Sequence, residues 1–184
     1  MVLELMGRDA GFITLHSGVA GGADVILIPE IPFKFESVVA KVRERVARGT
    51  LFSIIAISEG AKPLSGTQAY SRGGDEVYVP RLGGIGQILG AYLEKSGCET
   101  RVTVLGHLQR GGSPTPFDRW LATRYGAAAV RLAASGTFDR MVALRSGVII
   151  DISLEEAFAV PKRVDVDGDA VLTARGMGIA FGDE

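Results

Sequence analysis

VLELMGRDAGFITLHSGVAGGADVILIPE, residues 2 to 30, decides the fold. Two aliphatic runs, VLELM (2–6) and DVILIP (24–29), flank GFITLHSGVAGG (11–22), a helix-length segment closing on paired glycines. The runs lack the regular polar alternate of a strand with one wet face, as expected for strands covered on both sides. The pattern recurs downstream. LFSIIAIS (51–58) and RVTVLG (101–106) supply two more strands, and FESVVAKVRERVARG (35–49) and GGIGQILGAYLEKSG (83–97) two more helices. Val38, Val39 and Val42 share a helix face, and Gly49 and Gly97 stand where C-terminal glycine stops belong. Strand alternating with helix implies an α/β fold: a doubly wound, Rossmann-like, largely parallel sheet flanked by helices.

The bulk numbers fit that class. An apolar fraction of 47% and a charged fraction of 22% are those of a globular chain with a real core. Glycine, 25 of 184 residues, runs at about twice its usual frequency and signals tight turns and close backbone approaches. A net charge of −1 provides no basic field for nucleic acid. No apolar run approaches a membrane span, the N-terminus has no basic leader, and Cys98 is alone, so no membrane partner, no disulfide framework and a cytoplasmic location are expected.

In an open parallel sheet, ligands bind beyond the carboxyl ends of the strands. Strand one runs into Met6-Gly7-Arg8, strand two into Glu30, strand three into Glu59-Gly60 and strand four into His107 through Arg110. An arginine, carboxylates and a His/Arg pair on one edge describe a site for a phosphorylated polyol: basic groups for the phosphate, an acceptor for the hydroxyls. The segment GHLQRGGSPTPFDRW (106–120) encloses its His and Arg in glycines and leads into a helix over 117–136, with MVALRS, GVIIDIS and a polar tail beyond. The stretch 65–84 reads as a wide surface loop or a lid.

Three motifs in order, VLELMGRDAGFITLHSGVAGGADVILIPE, AISEG and TRVTVLGHLQRGGSPTPFDRWLATRYG, resemble the carboxyl-terminal half of the 6-phosphofructokinase family from residue 2 to about 145. The family's glycine-rich donor loop and short aspartate motif do not occur here. The resemblance implies a fructose 6-phosphate-binding half of an enzyme that transfers a phosphoryl group from ATP or pyrophosphate, with Mg2+, to the 1-hydroxyl of that sugar. The donor and metal would be held mainly by an absent half, leaving this chain inactive alone. A non-catalytic sugar-phosphate-binding or regulatory module is the alternative.

The resemblance also assigns residues. Met6, Gly7 and Arg8 would contact fructose 6-phosphate, with Arg8 also steadying the transferring phosphoryl group, and Glu59 would accept from sugar hydroxyls. His107, Leu108, Gln109 and Arg110 would form the turn on the 6-phosphate. Arg101 would reach a neighbouring subunit's phosphate, implying a homo-oligomer. Residues 1–108 and about 150–184 would form the sugar-phosphate domain, and about 109–149 would cross to the absent one. Regulated bacterial members place an effector site on positions matching Gly22, Ala23, Asp24 and Arg48. The stretch Arg48-Gly49-Thr50-Leu51-Phe52 holds a single cation, so effector binding of the usual kind is not expected.

Weaker signals fall away. GGIGQILG lacks the strand context and spacing of a dinucleotide loop, and DVDGD (165–169) lacks the closing glutamate of a calcium loop. His16 has no ligand-spaced partner, and no metal site is expected. Trp120 reads as packing, and Asp118 as a helix-start charge.

Overall fold

A computed structural model of the chain describes residues 1–66, 69–72 and 81–184. Half of the expected loop or lid, residues 67–68 and 73–80, lies outside them. The described residues divide into two compact units, Met1–Arg110 with Arg163–Glu184, and Gly111–Lys162.

In the first unit, β1 (Val2–Leu5), β2 (Val25–Leu27), β3 (Ile55–Ser58) and β6 (Val102–Val104) form one parallel sheet in the order β2-β3-β1-β6. Val2 aligns with Ile55 on one side and Val102 on the other, and Val25 with Ile55. A short pair, β4 (Tyr70–Arg72) and β5 (Arg81–Leu82), precedes helix α3 (Ile85–Lys95). Strand residues alternate between two cores. Val2, Val25, Leu27, Ile55 and Ile57 pack with α2 (Phe35–Ala47) and α3, while Leu5, Ile26, Ile28 and Ala56 pack with α1 (Phe12–Ala20). Both faces are covered, which is why the strands read as continuous apolar runs. Val38 and Val39 are buried, with Val42 packed against them, and Gly49 (φ +86°) and Gly97 (φ +84°) close α2 and α3 as expected.

Glu4 is a buried charged residue in this sheet. Its side chain faces α3, and the residue is 2% exposed. One carboxylate oxygen accepts the Gly84 N–H at 3.1 Å and the other the Gly86 N–H at 2.8 Å. It thus satisfies orphan donors of the α3 N-terminus at the positive end of the helix dipole. A Cβ on Gly86 would lie 2.9 Å from that carboxylate. The GGIG glycines therefore serve a cap reaching across from a strand.

The polar tail is a correction. Residues after Arg163 belong to the core: α6 (Asp169–Gly176) buries Val171 and Ala174, and Phe181 is 0% exposed. The chain then runs beside β2, where the Ile26 N–H donates to the Ala180 carbonyl at 2.9 Å and the Ala180 N–H to the Asp24 carbonyl at 3.1 Å. Arg175 lies over the Phe181 ring, 4.8 Å from its centroid, and pairs with Asp183 at 2.6 Å. That hydrogen-bonded guanidinium holds the Asp183 carboxyl below its ordinary range.

The second unit packs α4 (Pro116–Ala134) against the antiparallel hairpin of β7 (Arg140–Arg145) and β8 (Val148–Ser153), with α5 (Leu154–Ala159) beyond. Ser146 (φ +50°) and Gly147 (φ +81°) make the two-residue turn. Thr115 and Asp118 form a reciprocal capping box with Pro116 in the first turn, giving Asp118 its expected helix-start role. Chain return comes at Arg163 and not near 150, because β8 is paired to β7 along its whole length and α5 packs on the same hairpin. Trp120 is 62% exposed, with the Arg124 guanidinium 6.0 Å from its ring centroid.

Candidate functional site

The carboxyl edge of the sheet is built by close backbone approach. Leaving β1, Gly7 adopts φ +147°, and a Cβ there would meet the Ser58 Oγ at 2.5 Å and the Ala10 carbonyl oxygen at 2.9 Å. Leaving β3, Gly60 lies so near this turn that a Cβ would sit 1.9 Å from the Arg8 carbonyl oxygen. The Glu59 N–H donates to the Leu5 carbonyl at 2.8 Å and the Gly60 N–H to the Gly7 carbonyl at 3.0 Å. These bonds bring the Glu59 carboxylate beside the Met6–Gly7–Arg8 turn, where it accepts the Gly7 N–H at 3.4 Å.

The third contribution comes from β6. Gly106, at φ +48°, turns the chain into a 3-10 helix over Gly106–Arg110. With three residues per turn, side chains at i and i+3 eclipse. The spacing of His107 and Arg110 therefore puts both on one side, and both line the crevice. That crevice encloses about 710 Å³ and is lined by Met6, Gly7, Arg8, Glu59, His107 and Arg110, with Glu4, Gly83 and Gly84 among its walls. With the Glu4 carboxylate buried against α3, the other charged or basic side chains among the described lining residues are those of Arg8, Glu59, His107 and Arg110. Chemically this arrangement can receive an oxyanion carrying hydroxyl groups.

Other expected site residues lie elsewhere. The Gln109 amide oxygen accepts the Met6 N–H at 2.7 Å, so this side chain faces the neighbouring turn. Leu108 is exposed and is not part of the crevice lining. Arg101 stands at the opposite, amino edge, its side chain largely exposed and 4.0 Å from Glu99. It borders a second hollow of about 650 Å³, walled by residues such as Val46, Leu51 and Phe52. Glu30 accepts from the Gly11 and Val164 amides and fastens α1 to the tail.

The expected effector-site positions lie at the turn between α1 and β2 and at the end of α2. Asp24 is paired with Arg45 at 2.9 Å and accepts the Ile54 N–H at 2.8 Å, while Arg48 pairs with Glu44 at 2.6 Å. Gly22 (φ +68°) and Ala23 form the turn between α1 and β2. Among the described residues no group of three His, Cys, Asp or Glu side chains is arranged to hold a metal ion. No described helix is long and apolar enough to cross a membrane. The role of Glu4 is absent from the sequence reading, although a lone carboxylate inside an apolar strand signals a buried group in need of donors.

The model of the family Phosphofructokinase matches residues 1–133, all of the parallel sheet and all of the crevice lining. The chain belongs to the phosphofructokinase family. It is 57% identical over 187 aligned residues to the ATP-dependent 6-phosphofructokinase of Chloroflexus aggregans, covering all of this chain and 50% of that protein. It is 48% identical to ATP-dependent 6-phosphofructokinase 1 of Synechocystis, covering all of this chain and 51% of that one. The chain thus spans about half the length of the curated relatives it matches. Among solved structures it resembles the pyrophosphate-dependent phosphofructokinase of Marinobacter aquaeolei, with a TM-score of 0.73 and 25% identity over 98% of this chain and 44% of that one. The phosphofructokinase of Saccharomyces cerevisiae matches 85% of this chain and 20% of its own, with a TM-score of 0.69 and 29% identity. The α/β architecture with a helix-flanked parallel sheet is thus the one this family shares.

Proposed function

We propose that this phosphofructokinase-family chain supplies the acceptor side of a 6-phosphofructokinase, holding fructose 6-phosphate in the carboxyl-edge crevice. The observation that carries the reading is the convergence of Arg8, Glu59, His107 and Arg110 from three strand ends on one crevice. His107 and Arg110 take the 6-phosphate, the charged fork of Arg110 offering paired donors to a dianion. Glu59 accepts from sugar hydroxyls and fixes which way the ring faces. Met6 and Gly7 shape the wall, and Arg8 directs positive charge to the place where the phosphoryl group arrives. These groups orient the acceptor; the proton-accepting carboxylate and the Mg2+-bound donor come from residues outside this set. Identity of 57% to an enzyme named as ATP-dependent favours ATP as the donor.

Arg101, at the far edge of the sheet, cannot serve its own crevice, and we assign it to the phosphate of a neighbouring copy in a homo-oligomer, as the family resemblance implies. The reading is tested by isothermal titration with fructose 6-phosphate. Arg110→Ala and Glu59→Ala should each weaken binding by the worth of one charge-assisted hydrogen bond, roughly 1.5–3 kcal/mol or about 10–150-fold. Equal affinity in wild type and both variants would reject the site.

A further inference from the structure

One side chain ties the two anion-facing turns together. In the ladder between β1 and β6, the Val2 N–H donates to the Arg101 carbonyl at 2.8 Å and the Leu105 N–H to the Glu4 carbonyl at 3.0 Å. Ladder bonds between parallel strands are evenly spaced and recur every second residue. The Met6 N–H is therefore due to meet the Leu105 carbonyl. That carbonyl is engaged elsewhere: Gly106 has turned the chain, and the Leu108 N–H donates to it at 3.1 Å in the 3-10 turn. Met6 donates instead to the Gln109 side-chain oxygen at 2.7 Å. A side-chain amide stands in for the strand carbonyl and carries the ladder one step past the end of the sheet.

This bond joins the two halves of the basic lining. Arg8 follows Met6 by two residues, and His107 and Arg110 flank Gln109. We propose that Gln109 is a positioning residue, making no substrate contact, that sets the spacing between the Met6–Gly7–Arg8 turn and the His107/Arg110 turn. The proposal rests on the reading that fructose 6-phosphate spans both turns. A ligand reaching from one turn to the other needs that spacing, whereas a small anion held by His107 and Arg110 alone does not.

Two ligands separate this role from a direct contact. With Gln109→Met, which keeps length and removes the amide acceptor, affinity for fructose 6-phosphate should fall about tenfold while affinity for inorganic phosphate, followed by phosphorus NMR line width, stays within about twofold. Equal losses for both ligands would mean that Gln109 touches the phosphate or that the turn has collapsed. An unchanged fructose 6-phosphate affinity would also overturn the proposal. Amide hydrogen exchange supplies an arm independent of any ligand. Exchange at both Met6 and Leu108 should quicken in Gln109→Met and return toward wild type in Gln109→Glu, which restores an acceptor of the same reach. Faster exchange confined to Met6, or absent from both, would show that the turns are not coupled. If wild type binds no fructose 6-phosphate, the functional reading falls, and the exchange arm alone decides the coupling.

Discussion

Phe181→Ala should lower the stability of the first unit by about 3–5 kcal/mol, the usual cost of deleting a buried aromatic ring and leaving a cavity. Phe181 is fully buried beside Leu15, Ile26 and Val171, under the Arg175 guanidinium. Its loss removes the tail's main anchor against β2 and α1. Leu172→Ala, on the exposed side of α6, should stay within about 0.5 kcal/mol of wild type. Urea denaturation followed by far-UV circular dichroism checks both. Matching losses in the two variants would contradict the placement of the tail.

The 184-residue chain should show no phosphoryl transfer to fructose 6-phosphate from either ATP or pyrophosphate with magnesium. Such transfer depends on positioning and on charge neutralisation by metal-bound donor groups, and enzymes gain 10⁶-fold or more only when those groups are complete. On the proposed reading this chain holds the acceptor side, and among the described residues no group of three His, Cys, Asp or Glu side chains is arranged to hold a metal. The curated relatives are about twice as long. A coupled assay should find the chain indistinguishable from its Glu59→Ala variant. Adding the portion of the Chloroflexus aggregans enzyme that this chain does not span should restore turnover. Turnover by the chain alone, above the Glu59→Ala control, would show that the donor machinery lies within it. Binding without restored turnover would favour a non-catalytic sugar-phosphate module.

The sheet was legible because its signals are local. Aliphatic runs between glycine-stopped helices predict β1, α1, β2, α2, β3, α3 and β6, differing from the structure mainly at element ends. The basic crevice was legible for a related reason: parallel strands place their exits on one edge, so Arg8, Glu59 and His107 meet without any knowledge of the loops. What escaped depends on tertiary contacts. The segment ending in Ala180 and Phe181 reads as polar because α6 is eight residues long and rich in small side chains, and its burial comes from lying beside β2. Trp120 reads as packing because periodicity identifies an apolar face but says nothing of what covers it. Gln109 belongs to the recognised turn, yet its bond to Met6 spans 103 residues and is visible only once the ladder between β1 and β6 is drawn.

The central claim, that the carboxyl-edge crevice is the sugar-phosphate site, is tested most directly by titrating the isotopically labelled chain with fructose 6-phosphate and following its backbone amide signals. The account predicts saturable shifts concentrated at residues 6–8, 59–60 and 106–110, sharply reduced in Arg110→Ala. Shifts concentrated instead at Ser53 and 97–101, around the hollow at the amino edge, would contradict it.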